Sequence, residues 1–112
     1  MSKSKQKGTS WETEIVRCLN AFGWGAAERR TLSGALDKGD INMHPDVVIE
    51  AKSHGTLKLA EWVAEAEVEK NNANATVGVV WAKRRGKASA NDGYVIMTGT
   101  QFMSLLIKAR YL

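Results

Sequence analysis

The spacing of apolar and polar positions changes along the chain, and each change marks an element. Trp11, Ile15, Leu19 and Phe22 recur at helical spacing, with Thr9 or Ser10 placed to cap the start and Gly23 to end it, which predicts a helix over 9–22. An extended segment follows at 24–30, then a loop at 31–38 that contains Gly and Ser. The run at 47–51 is β-branched and apolar, and His44, Pro45 and Asp46 before it read as a turn, because Pro cannot sit inside a ladder. Beyond a loop at 53–56, Leu59, Trp62, Val63 and Ala66 predict a helix over 57–71. The continuous apolar run at 75–82 suits a buried central strand in which Gly78 admits a close neighbour, and a basic loop at 83–91 joins it to a strand at 94–97. A last helix over 101–110, capped by Thr98 or Thr100, is expected to turn Phe102, Leu105 and Leu106 inward and to place Lys108 and Arg110 at the negative end of its dipole. The sum is an α/β layer sandwich, a mixed sheet flanked by helices with one more helix at the C-terminus.

The hairpin carries the candidate chemistry. With its loop centred on Pro45, Met43 faces Val47, Ile41 faces Ile49 and Asp40 faces Glu50, and directly opposed Cβ atoms lie roughly 5 Å apart. Glu50 and Lys52 then share a face with Asp40, while Ile41, Ile49 and Ala51 point to the other layer. Two carboxylates leave Mg²⁺ most of its octahedral shell for waters and a phosphate oxygen, as phosphoryl-transfer chemistry requires, and Lys52 would orient or deprotonate the attacking water. Asp46 is the rival acid, but four residues of strand put it about 13 Å from Glu50. On the first helix, Glu12 falls about 20° from Leu19 on the buried stripe and Glu14 about 140° away on the solvent side, so Glu12 is expected to join the site. His44 and His54 have no third ligand at metal spacing, which argues against zinc.

Composition narrows the class. A chain of 112 residues, 44% hydrophobic and 25% charged, makes one domain, and no apolar run approaches the ~20 residues that span a bilayer. The lone Cys18 excludes an internal disulfide and suits a reducing compartment; a cytoplasmic location, in a bacterium or a phage-infected cell, is expected. A net charge of +4 points to an anionic partner. Its distribution is more telling: Lys3, Lys5 and Lys7 lie in a basic arm (1–8) expected to be disordered before a folded domain at 9–112. Arg29 and Arg30 are candidate phosphate clamps, and Lys83, Arg84, Arg85 and Lys87 cluster in one loop with the same expected role. Glu61, Glu65, Glu67 and Glu69 concentrate on the helix at 57–71, away from the expected site.

The order Lys7-Gly8, Glu12, Arg29-Arg30, Ser33-Gly34, Gly39-Asp40 and Glu50-Ala51-Lys52 resembles the PD-(D/E)xK nuclease superfamily, in particular its archaeal and phage Holliday-junction resolvase branch. The resemblance spans most of the chain and implies a restriction-endonuclease-like αβββαβ core, a homodimer, cleavage of four-way DNA junctions by paired nicks, and Mg²⁺ dependence with Mn²⁺ able to substitute. It implies Glu12, Asp40, Glu50 and Lys52 as the catalytic set and Asp40, Glu50 and Ala51 at the metal. Two departures are Gly39, where relatives carry Pro before the first acid, and the lack of a glutamine on the helix after Lys52. The alternatives are a small nuclease of the same superfamily acting on flaps or duplex ends, and a nucleic-acid-binding module without catalysis.

Overall fold

The computed structural model describes residues 3–31 and 34–111; Met1 and Ser2 of the expected arm, and Ser33, lie outside the described residues. The elements are α1 (Lys3–Phe22), β1 (Glu28–Arg29), β2 (Ile41–His44), β3 (Val47–Lys52), α2 (Leu59–Asn72), β4 (Val77–Ala82), β5 (Tyr94–Ile96) and α3 (Gly99–Lys108), with a 3₁₀ turn at Ala90–Asp92. The five strands form one mixed sheet in sequence order, antiparallel throughout except where β3 and β4 run parallel. That single parallel pair requires a crossover, and α2 supplies it.

Alternation along the strands assigns the two faces. Ile49, Val77 and Val79 pack with Trp11, Ile15 and Leu19 of α1, and Val80 and Ala82 pack with Trp62 and Ala66 of α2. Glu50 and Lys52 alternate with Ile49 and Ala51, so they face α2. Gly78 is where α2 comes closest: a Cβ there would lie 2.8 Å from the Ala66 carbonyl oxygen and 2.9 Å from Lys70 Cβ. The hairpin pairs Ile41 with Ile49 as expected, but His44, not Met43, meets Val47. The turn is the pair Pro45 and Asp46 rather than a loop centred on Pro45, and an irregularity between Ile41 and His44 absorbs the one-residue difference.

Three expectations fail for physical reasons. Residues 3–8 are not an unstructured arm but the first turns of α1; Lys and Gln are good helix formers, and the ~1 kcal/mol cost of Gly8 is offset downstream, where Trp11 is buried and its Nε1 donates to the Trp81 carbonyl at 2.9 Å. Phe22 keeps the phase of the buried stripe yet is 86% exposed, because it is the last residue of α1 and the buried stripe ends one step earlier, at Leu19. On α3, Phe102 and Leu105 face outward and Gln101 inward. β5 pairs only with Val80 to Ala82, so the Gly78 amide has no strand partner, and the Gln101 side chain accepts its hydrogen bond. Satisfying that buried donor, rather than burying an apolar stripe, sets the rotation of α3. Thr98 caps α3 by accepting from the Gln101 amide at 3.2 Å. Among the described residues no helix is long and apolar enough to cross a membrane.

Candidate metal centre

Three segments bring carboxylates together beside β3. Glu50 comes from the strand itself and is 7% exposed. Glu69 is the next step of the Trp62 and Ala66 stripe of α2, and at 2% exposure it occupies a core position. Asp37 comes from the loop before β2, where its Oδ1 accepts from the Gly39 amide at 2.9 Å and its carbonyl accepts from Asn72 Nδ2 at 2.8 Å, tying the loop to the end of α2. One oxygen from each of Asp37, Glu50 and Glu69 lies within 4.8 Å of the others. Asp37 is exposed and the other two buried, so the group is closed on the protein side and open at Asp37.

Asp40 adjoins this group. Its amide donates to the Ile49 carbonyl at 2.8 Å, and its Oδ2 accepts from the Ala51 amide at 2.8 Å, which extends the hairpin pairing to the level of Glu50. Gly39 makes this approach possible: its φ is +94°, and a Cβ would meet Val48 Cγ1 at 2.8 Å and the Ile49 carbonyl oxygen at 3.0 Å.

Electrostatics distinguish these acids from surface carboxylates. Burial, then repulsion from Glu50, pushes Asp40 up to about 8. Burial, then Glu69, takes Glu50 to about 9, and burial with the neighbouring charges of Asp37 and Asp40 takes Glu69 to about 7. Glu50 Oε2 and Glu69 Oε2 are moreover buried with no hydrogen-bond partner. Unpartnered buried carboxylate oxygens are costly unless a proton or a cation sits between them. This donor set could hold a metal ion, and its all-oxygen chemistry suits a hard divalent one.

Lys52 lies at the rim, its Nζ 2.6 Å from Glu65 Oε2 and 3.7 Å from Glu50 Oε1. Burial opposes its charge, but the two carboxylates outweigh burial and raise its pKa, so it remains an ammonium. Deprotonating a water does not suit it; orienting or neutralising an oxygen does. Ala51 contributes through its backbone amide.

The remaining candidates separate. Arg29 is engaged by Glu12 at 3.1 Å. Arg30 lines a cleft of about 310 Å³ with Asp37 and Asp40; its Nη2 donates to Asn42 Oδ1 at 3.4 Å and its Nε is buried without a partner. Glu12 and Glu14 differ less than helical phase implies, for both side chains are 20% exposed. Glu14 is not a solvent-side residue: besides Arg17 it accepts from the Ala90 amide at 2.8 Å, binding the 3₁₀ turn to α1. Glu12 is outside the three-carboxylate group, although its charge reaches Asp40. Lys83, Arg84 and Arg85 line a different cavity and Lys87 is exposed.

Sequence reasoning missed Asp37, Glu65 and Glu69, and placed the acidic helix away from the site. For Glu69 a signal existed: it follows Trp62 and Ala66 at i+7 and i+3, a core position for a charged residue. Asp37 lies in a loop without periodicity and left none. Comparison of the chain with protein-family models, curated proteins and solved structures gives no match.

Proposed function

We propose that this protein is a Mg²⁺-dependent endodeoxyribonuclease with a restriction-endonuclease-like core, and that it resolves four-way DNA junctions by paired nicks. The observation that carries this reading is the convergence of Asp37, Glu50 and Glu69, with two orphaned carboxylate oxygens, beside Asp40 and the Lys52 ammonium. The order of the first six elements, helix, three strands, helix and strand, supports the core assignment.

Asp37, Glu50 and Glu69, with Asp40 beside them, would hold the ion. A divalent ion bound there supplies neutralisation of a phosphoryl oxygen and a more acidic water. Lys52, kept charged by Glu65 and Glu50, offers a donor to a phosphate oxygen at the rim. Arg30, opening onto the same cleft as Asp37 and Asp40, offers a guanidinium fork to a flanking phosphate. Glu12 acts through charge on Asp40 and by holding Arg29. Paired nicks call for two sites related by the junction's two-fold axis, which an isologous homodimer provides, and the exposed Val95, Phe102, Met103 and Ile107 of β5 and α3 offer apolar surface for one.

The Lys52–Glu65 pair favours a second reading, in which the acids bind a cation without chemistry and the protein only grips nucleic acid. Labelled junction, flap and duplex, each with and without Mg²⁺, separate the two. Paired, metal-dependent nicks in the junction, lost in Glu50→Gln, are expected. Equal cutting of duplex would shift the assignment to a flap or duplex nuclease, and binding without cutting to the second reading. Light scattering of the same sample tests the dimer.

A further inference from the structure

A cavity of about 750 Å³ opens between the first turns of α1, residues 53–55 after β3 and the 83–88 loop after β4. Lys3 and Lys7 enter it from α1, and Lys83, Arg84 and Arg85 from the loop. Among the described residues none of these five is ion-paired. The one carboxylate in the wall, Glu14, is already engaged by Arg17 at 2.7 Å and by the Ala90 amide. Cations drawn from two distant segments into one concavity repel each other, and an anion placed among them offsets that repulsion.

The basin is held in place. The Lys83 amide donates to the Lys52 carbonyl at 2.8 Å, so the loop leaves β4 tied to the end of β3 that carries the rim ammonium. A turn closed by the Lys87 amide on the Arg84 carbonyl at 3.0 Å, with Gly86 at φ +77°, follows, and Arg84 lies over the Tyr94 ring at 5.6 Å. His54, also in the wall, is two residues past Lys52, which bounds the Cα separation at about 7 Å. Glu50 is two residues further back, which bounds its Cα separation from His54 at about 14 Å, so the basin begins within about two nucleotide steps of the acids. Its volume is within the ~300–1,000 Å³ of small-molecule sites, ample for a phosphate with its sugar and base attached.

We infer that this basin binds a backbone phosphate of the DNA strand being cut, one or two linkages from the phosphate at the acid group, and so sets the register of cleavage. This rests on the nuclease reading above. Lys83 and Arg85 grip the phosphate oxygens, Lys3 and Lys7 close the basin from α1, and Ser53 and His54 line the path from Lys52.

Two arms test it. In metal-free protein, amide NMR at Ser53, His54 and Gly86 follows titration with a 5′-phosphorylated dinucleotide, its unphosphorylated twin and inorganic phosphate. The phosphorylated dinucleotide should bind tightest, and a Lys83→Ala/Arg85→Ala double variant should weaken it about tenfold. Equal binding of inorganic phosphate, or of the twin, overturns the inference, as does indifference to the double variant. In the second arm, junctions carry one neutral methylphosphonate linkage at a time. Neutralising one of the two linkages nearest the cut should slow wild type about tenfold and leave the double variant, already slow, unaffected; the variant's binding should also lose about one unit of salt slope per cation removed. The same interference pattern in both proteins overturns the inference while leaving the nuclease reading intact. If nothing is cut, the nuclease reading falls and with it the cleavage register; the dinucleotide arm then decides whether the basin is a nucleic-acid phosphate site.

Discussion

Two groups of like charge flank the sheet, one on the α2 side and one beside α1, and they are built in opposite ways. The acids face α2, with Glu50 and Glu69 buried at 7% and 2% exposure and two of their oxygens unpartnered. The cations border α1, and Lys7, Arg84 and Arg85 are exposed. Exposed like charges remain hydrated and screened, so gathering them costs little until an anion arrives. Buried like charges have no such relief, and the fold tolerates them only with protons or a cation in place. The acid group should therefore respond to pH and metal, and the basic one to salt.

The largest effect should come from Glu50→Gln, which removes the central carboxylate of the acid group. Metal-dependent cleavage should fall by at least ~10²-fold. DNA binding should persist or tighten, since a carboxylate near a phosphate repels it. Quantitative cleavage and anisotropy on one preparation would check both; unchanged cleavage would break the comparison at its first member.

The second effect is thermodynamic. Asp40, Glu50 and Glu69 have folded-state pKa values near 8, 9 and 7, above their ordinary 3.8 to 4.5. Between those limits the native state holds more protons than the unfolded chain, so stability is fullest near pH 4 and falls as pH rises toward 9. Calorimetry of metal-free protein should show Tm dropping by on the order of 5 °C or more from pH 5 to pH 9, with Mg²⁺ restoring it most at the high end. Asp46 works in a separate window: hydrogen bonds from Thr76, then Lys108, hold it down at about 2, so its contribution is lost only as pH falls from about 4 through 2. A Tm that rises from pH 5 to 9 without metal would contradict the burial account.

Lys52 and Glu65 should separate next. Lys52→Ala removes the rim ammonium and should slow cleavage by about 10²-fold. Glu65→Gln leaves the ammonium facing Glu50 and should change cleavage only a few-fold. Equal losses would mean that the pair is structural and that Lys52 has no role at the phosphate.

The smallest effect sharpens the boundary between the two groups. Glu12→Gln should slow cleavage more than Glu14→Gln, because the charge of Glu12 reaches Asp40. Glu14→Gln should instead cost about 1 kcal/mol of stability, because it weakens the hold on the Ala90 amide and on Arg17. Urea melts and initial rates on both variants would show whether the roles cross over in this way.

What could be read from the sequence alone was whatever a local period encodes. The strand alternation that puts Glu50 and Lys52 on one face, the pairing of Ile41 with Ile49, the close approach at Gly78 and the Thr98 cap all follow from neighbouring residues, and the structure bears them out. Tertiary structure decided the membership of the acid group. Glu69 meets Glu50 only because the parallel pairing of β3 with β4 lays α2 across that face, and Asp37 arrives by way of a loop anchored to Asn72. It also decided the facing of α3, because a glycine amide left unpaired by a three-residue edge strand outweighed an apolar stripe. Periodicity records which face of an element is apolar; it does not record which buried polar group on another element will need a partner, and that need located Gln101, Glu69 and Asp37.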